Sequence, residues 1–195
     1  MRKFNSPTLL LLIIFAYCLI QGSFYPFLIL IFSLLHEGGH ILAIYLLGGR
    51  SSVPNGKGQG FSIDFSGLTY KKEFLAAFAG PFINLFLAGF FLIFAADKSK
   101  IMLHYCAYAN FMLAGINLLP IFPMDGGRML SCALAYRIEP HKRASLLRLI
   151  GIISLIILLI LALWQFFISG YNISLLLICF YLAALIAAQA KGDFS

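Results

Sequence analysis

The sequence predicts an all-α polytopic membrane protein with about six transmembrane helices and a small β-strand insertion after the second helix. Of its 195 residues, 62% are hydrophobic and only 11% are charged, which is far more apolar than soluble domains are. The apolar residues fall into six runs whose lengths suit a bilayer crossing. Between the second and third runs, a polar stretch carries turn and strand patterns instead.

The six predicted crossings cover residues 8–22, 24–47, 74–96, 101–119, 145–168 and 172–190. Arg2 and Lys3 precede the first run as in a signal sequence, but no small-x-small cleavage site follows, so we expect a retained helix. With a cytoplasmic N-terminus, only Lys98 and Lys100 of the 14 basic residues lie outside. We therefore expect both termini in the cytoplasm, and the net charge of +7 indicates membrane topology rather than a nucleic-acid partner.

The insertion covers residues 50–72. Pro54-Asn55-Gly56 and Gly58-Gln59-Gly60 are typical of turns, and residues 61–66 alternate strictly between apolar and polar side chains. This pattern predicts one or more short strands at the cytoplasmic membrane surface, although an amphipathic loop would show the same alternation. An exposed strand edge there could pair with an extended substrate chain.

A polar motif, His36-Glu37-Gly38-Gly39-His40, interrupts the second apolar run. Histidines four residues apart lie on one face of a helix, so both imidazoles can reach one metal ion. Glu37 follows the first ligand and can reach a water molecule on that metal. The alternative is a chance match, but ionisable groups at this depth are costly unless paired or coordinated. Counting 1.5 Å per residue from Gly48-Gly49 places His40 about 12 Å from the cytoplasmic end.

Two further polar stretches fall at membrane depth. In Ala79-Gly80-Pro81-Phe82-Ile83-Asn84, the proline favours a kink, and the Asn84 amide requires a partner. An interhelical hydrogen bond would satisfy that amide as well as a role in a site would.

The third stretch, residues 117–128, contains two prolines three residues apart and the turn Asp125-Gly126-Gly127-Arg128. Asp125 could be the N-cap of a helix over about 126–137. Among the seven acidic residues, only Glu37 and Asp125 fall in segments at membrane depth, so Asp125 could instead supply the ligand that two histidines lack.

The three motifs together resemble the site-2 protease family of intramembrane zinc metalloproteases, because their order and spacing match over about residues 36–128. Within that family, the chain looks most similar to the group of the sporulation sigma-factor-processing protease, without a CBS or PDZ domain. The resemblance implies one membrane-embedded metalloprotease domain over residues 1–195, with a catalytic core over about 24–137. The paired glycines of the metal motif depart from the family pattern and suggest only close packing.

The resemblance also implies a role for each motif residue. One zinc ion would be bound by His36, His40 and Asp125, with Glu37 as the general base. Asn84 and Asn117 would lie at the site and bind substrate backbone or the developing oxyanion. The implied substrates are membrane-tethered proteins such as a sigma-factor precursor or an anti-sigma factor, cleaved from the cytoplasmic side of a bacterial cell membrane. An inhibitory membrane partner would fit the same setting.

Two other functions fit parts of the pattern. Zinc transporters of the ZIP type also place a His-Glu-x-x-His stretch in a membrane helix, but six crossings are few for them and the Asp125-Gly126-Gly127-Arg128 turn has no role there. An inactive bundle that only binds partners would not need a complete set of metal ligands.

Overall fold

The computed structural model describes residues 25–49, 68–95, 100–122, 124–168 and 173–190. Within these ranges all regular structure is helical, which confirms the predicted all-α class. The predicted helix at 8–22 and the predicted strand at 61–66 lie outside the described residues. The six described helices are α1 Tyr25–Leu46, α2 Tyr70–Phe94, α3 Ile101–Asn117, α4 Asp125–Leu134, α5 Pro140–Ile168 and α6 Ser174–Ala190.

Three of these helices, α1, α2 and α5, are long and apolar enough to cross a membrane, with 22, 25 and 29 residues. Helices α3 and α6 have 17 residues each, close to the lower end of the spanning range. The described residues therefore support an integral membrane protein with three candidate spans, and the count of six crossings stays a prediction.

Two of the predicted helices begin earlier than their apolar runs. Helix α2 starts at Tyr70 rather than at residue 74, so the last residues of the predicted polar insertion are helical. Glu73 lies in this first turn, where a carboxylate is favoured by the helix dipole. Helix α5 starts at Pro140 rather than at 145, because proline suits the first helical position. Glu139 and Lys142 form an ion pair of 3.1 Å at the same end.

One group of helices contains α1, the part of α2 after Ala79, and α3. Its apolar core is built on Phe32, Cys106 and Ala109. The backbones of α1 and α2 come close at Gly39, where a Cβ atom would lie 3.0 Å from the carbonyl oxygen of Ala79. Small residues allow this approach between membrane helices, and it holds the histidine face of α1 against α2.

The other group contains the first turns of α2, the segment after Gly115, and helices α4, α5 and α6. Ile121, Leu182 and Ile186 form its core. The sequence analysis attributed Gly126 and Gly127 to a tight turn, but both residues lie inside α4. They are small because the preceding turn folds back on them: a Cβ at Gly127 would lie 2.5 Å from the Phe122 nitrogen.

Helix α1 ends at a glycine cap. Gly48 has φ of +77°, its N–H donates to the Tyr45 carbonyl over 3.1 Å, and the Gly49 N–H donates to the Ile44 carbonyl over 2.9 Å. This pair of bonds is a Schellman motif, which requires a residue that tolerates positive φ. The predicted end of the helix near Gly48-Gly49 is confirmed.

Candidate metal centre

His36 and His40 bring their Nε2 atoms together on the buried face of α1. The two side chains are 5% and 3% exposed, and their Nε2 atoms are 3.2 Å apart. The rings meet edge to face, with centroids 4.8 Å apart. Both imidazoles therefore point at one place, as their spacing of four residues predicts.

Helix α2 forms the opposite wall with Gly80 and Asn84, which are one turn apart. A Cβ at Gly80 would lie 2.6 Å from His40 Cε1 and 2.8 Å from His36 Nε2, and would also meet His40 Nε2. Only glycine allows both histidine nitrogens to lie this close to the backbone of α2. No role for Gly80 was predicted from the sequence. Its spacing of four residues from Asn84 could have indicated that both lie on one face of the helix.

Asn84 lies at the outer side of the His36 ring. Its side chain is 0% exposed, and its Oδ1 is 3.2 Å from His36 Nδ1. Its Nδ2 has no hydrogen-bond partner among the described residues. The interhelical hydrogen bond that the sequence allowed is therefore present, and it joins α2 directly to a predicted metal ligand.

Asp125 is the first residue of α4 rather than its N-cap. The N-cap position belongs to Met124, which makes no side-chain cap hydrogen bond, so the capping interpretation of Asp125 is wrong. The predicted group of metal ligands, His36, His40 and Asp125, thus consists of two buried histidines and one half-buried carboxylate.

The donor set and the nitrogen spacing both fit zinc. Two nitrogens held at 2.0–2.1 Å by a tetrahedral zinc ion lie about 3.3 Å apart, close to the 3.2 Å between the two Nε2 atoms. Two imidazoles and one carboxylate are a ligand set that catalytic zinc sites use, with a fourth position left open. His104 and His141 are exposed and lie outside this group.

The other two predicted site residues are each half-buried on their own helices. Glu37 is half-buried on the same turn of α1 as His36, and Asn117 is the half-buried last residue of α3. A Cβ at Gly38 would meet nothing within 4 Å, because Gly38 lines a groove of about 360 Å³ with Ile41, Leu42, Tyr45 and Gly49. The two glycines of the motif thus differ: Gly39 serves close packing and Gly38 faces open space.

One buried polar residue was missed by the sequence analysis. Asn110 in α3 is 0% exposed; its Nδ2 donates to the Cys106 carbonyl over 2.9 Å, and its Oδ1 has no partner among the described residues. An isolated asparagine in an apolar run gives no spacing signal, so only the burial of its helix face identifies it.

The fold and the site define a helical membrane protein with two buried histidines whose Nε2 atoms converge on one place. The sequence profile of the family described as Peptidase M50B-like matches residues 8–119, and that of Peptidase family M50 matches residues 95–158. The first match covers more than half of the chain, so the chain belongs to this M50B-like peptidase family.

Two proteins from Methanocaldococcus jannaschii are similar to this chain. A zinc metalloprotease is 32% identical over 106 residues, which is 46% of this chain and 31% of that protein. The chain therefore spans about a third of the length of that curated relative. A solved site-2 protease matches with a TM-score of 0.56 and 22% identity, covering 90% of this chain and 83% of the other, which shows a shared fold.

Proposed function

We propose that the protein is an intramembrane zinc metalloendopeptidase that cleaves membrane-tethered proteins. The convergence of the His36 and His40 Nε2 atoms at 3.2 Å, inside an apolar helix, carries this proposal. Membership of a peptidase family supports hydrolysis rather than metal transport. A transporter would share the buried histidines, but nothing in the described residues favours it.

One zinc ion is held by His36, His40 and Asp125. When bound, zinc supplies a Lewis acid that lowers the pKa of water and polarises a peptide carbonyl. The two imidazoles are buried and neutral ligands, and the half-buried Asp125 adds one negative charge. This set keeps a divalent cation in surroundings where an unpaired charge would be costly.

Glu37 is the general base. It lies next to a ligand in the chain, and its partial exposure leaves its carboxylate accessible to solvent. It takes the proton of the attacking water and passes it to the leaving amine, as a carboxylate within hydrogen-bond reach of both can do. Asn117, at the end of α3, offers an amide that can bind the substrate backbone or the developing oxyanion.

The substrate is a membrane-tethered chain that has lost its helical hydrogen bonds locally. A helix conceals its carbonyls in its own hydrogen bonds, so the cleaved segment must unwind first. The groove beside Gly38, Ile41 and Leu42 offers an apolar surface next to Glu37. Substrates with helix-breaking residues near the cleaved bond fit this requirement. Sigma-factor precursors and anti-sigma factors are the proposed classes, cleaved from the cytoplasmic side of a bacterial cell membrane, in sporulation or in another signalling response.

The test is a Glu37→Gln variant assayed with a membrane-tethered reporter in proteoliposomes. We expect cleavage to stop while metal analysis still finds zinc bound, because the base is removed and the ligands remain. A variant that cleaves as fast as the unaltered protein would contradict the role of Glu37. Zinc flux into the same vesicles, without cleavage by the unaltered protein, would establish transport instead.

A further inference from the structure

The contact between Asn84 and His36 is the point from which a further role follows. Asn84 belongs to α2 and His36 to α1, 48 residues apart, and their bond of 3.2 Å is fully buried. A buried hydrogen bond to the outer nitrogen of a metal-binding histidine fixes the orientation of the ring. The sequence analysis placed Asn84 with the substrate or the oxyanion, whereas the structure places its oxygen against a predicted ligand.

The two nitrogens of His36 have different surroundings. Its Nε2 faces His40 Nε2 at 3.2 Å and lies close to Gly80 of α2, so Nε2 is the atom that converges with the second histidine and is directed at the metal. An imidazole that binds through Nε2 is neutral and carries its proton on Nδ1. That proton needs an acceptor, and the Asn84 Oδ1 lies at hydrogen-bond distance from Nδ1.

Burial separates this role from contact with a substrate. The Asn84 side chain is 0% exposed, so no part of it reaches a substrate without a rearrangement of α2. Its oxygen is bonded to His36, and its Nδ2, the atom that could donate to an oxyanion, is buried as well. Asn84 therefore acts through the histidine rather than on the reacting atoms.

We propose that Asn84 is a positioning residue that holds His36 as the Nδ1–H tautomer with its Nε2 aimed at the metal. This proposal rests on the zinc site proposed above. Loss of such a partner weakens metal binding by about 10–100-fold in zinc enzymes. Asn84 then determines how well the protein keeps zinc at limiting metal concentrations.

Zinc affinity of three variants of the full-length chain tests the proposal, measured by competition with a chelator in detergent micelles. Asn84→Leu removes the acceptor, and we expect zinc to bind about 10–100-fold more weakly. Asn84→Asp keeps an acceptor oxygen in either protonation state, and we expect affinity at or above that of the unaltered protein. Asn110→Leu removes another fully buried amide, whose bonded partner is in its own helix, and should leave zinc affinity unchanged.

An oxyanion role predicts a different pattern, in which the Leu and Asp variants bind zinc like the unaltered protein but lose cleavage. That result would overturn the positioning role. Equal weakening in the Leu and Asp variants would also overturn it, since the acceptor would then be irrelevant. If the unaltered chain bound no zinc at all, the proposed function would fail first, which is a distinct outcome.

A second measurement needs no Asn84 variant, so its result does not depend on whether such a variant folds. Nitrogen-15 NMR of labelled histidine in the metal-free, full-length protein reports which ring nitrogen carries the proton. His36 is assigned by the signal missing from a His36→Gln sample. We expect His36 to be protonated on Nδ1, and protonation on Nε2 would refute the proposal.

Discussion

Gly80→Ala is the most demanding test of the metal centre, because the added methyl group would collide with both histidine rings. The added Cβ would lie 2.6 Å from His40 Cε1 and 2.8 Å from His36 Nε2. Non-bonded contacts need about 3.5 Å, so the imidazoles must retreat by about 1 Å. Zinc–ligand distances tolerate only about 0.2 Å, so we expect zinc binding to be lost.

The effect on stability is small beside the effect on zinc. Overpacking costs about 1–3 kcal/mol, and the change from glycine to alanine inside a helix returns about 1 kcal/mol. The metal-free variant should therefore fold and melt within a few degrees of the unaltered protein. Zinc at 100 times its dissociation constant should stabilise the unaltered protein by about 2.7 kcal/mol and the variant by nothing measurable.

Thermal unfolding with and without zinc, followed by circular dichroism in micelles, gives both quantities. Gly89→Ala is the matched control, since Gly89 lies in the same helix and a Cβ there meets nothing within 4 Å. It should retain the full zinc-dependent shift. If Gly80→Ala were stabilised by zinc as much as the control, the assignment of the space in front of Gly80 to the metal would be refuted.

Three further experiments separate the remaining roles. Asp125→Ala should lose most bound zinc in metal analysis, because one of the three proposed ligands is removed; normal zinc content would remove Asp125 from the ligand set. Gly39→Ala should lower the free energy of unfolding by about 1–3 kcal/mol, since its Cβ would lie 3.0 Å from a backbone oxygen of α2. Gly38→Ala should instead raise the free energy of unfolding by up to about 1 kcal/mol. Equal effects of the two variants in denaturant unfolding would contradict the difference in packing between Gly39 and Gly38. With native cysteines replaced, a membrane-impermeant thiol reagent should label Gly49→Cys only from the cytoplasmic face and Lys100→Cys only from outside, and the reverse pattern would overturn the orientation.

The sequence predicts the part of the site that depends on local spacing. His36 and His40 share a helix, so their separation of four residues determines that their side chains meet. The end of α1 also follows from local chemistry, because Gly48 and Gly49 are the residues that such a cap requires. These features need no knowledge of what packs against the helix.

Features that depend on contacts with a second helix could not be predicted from the sequence. Nothing in the local pattern of Gly80 shows that histidine nitrogens face it, since that contact joins residues about 40 positions apart. For Asn84 an interhelical bond and a site role stayed equally open, because a buried amide needs a partner of either kind. A capping role for Asp125 stayed open beside a ligand role because its residue type favours that position, but Met124 occupies the N-cap instead.

The cap at Gly48 has a consequence for where in the membrane the chemistry takes place. Gly48 is eight positions after His40, and at 1.5 Å per residue this part of the helix is a rigid spacer of about 12 Å. The hydrogen bonds of the cap fix the last carbonyls of the helix, so this spacer cannot shorten by fraying. The depth of the metal therefore depends on the number of residues between His40 and the cap. One turn inserted there would move the metal about 5.4 Å toward the bilayer centre. On the proposed function, the variant would cleave peptide bonds about one turn further along the same substrate helix.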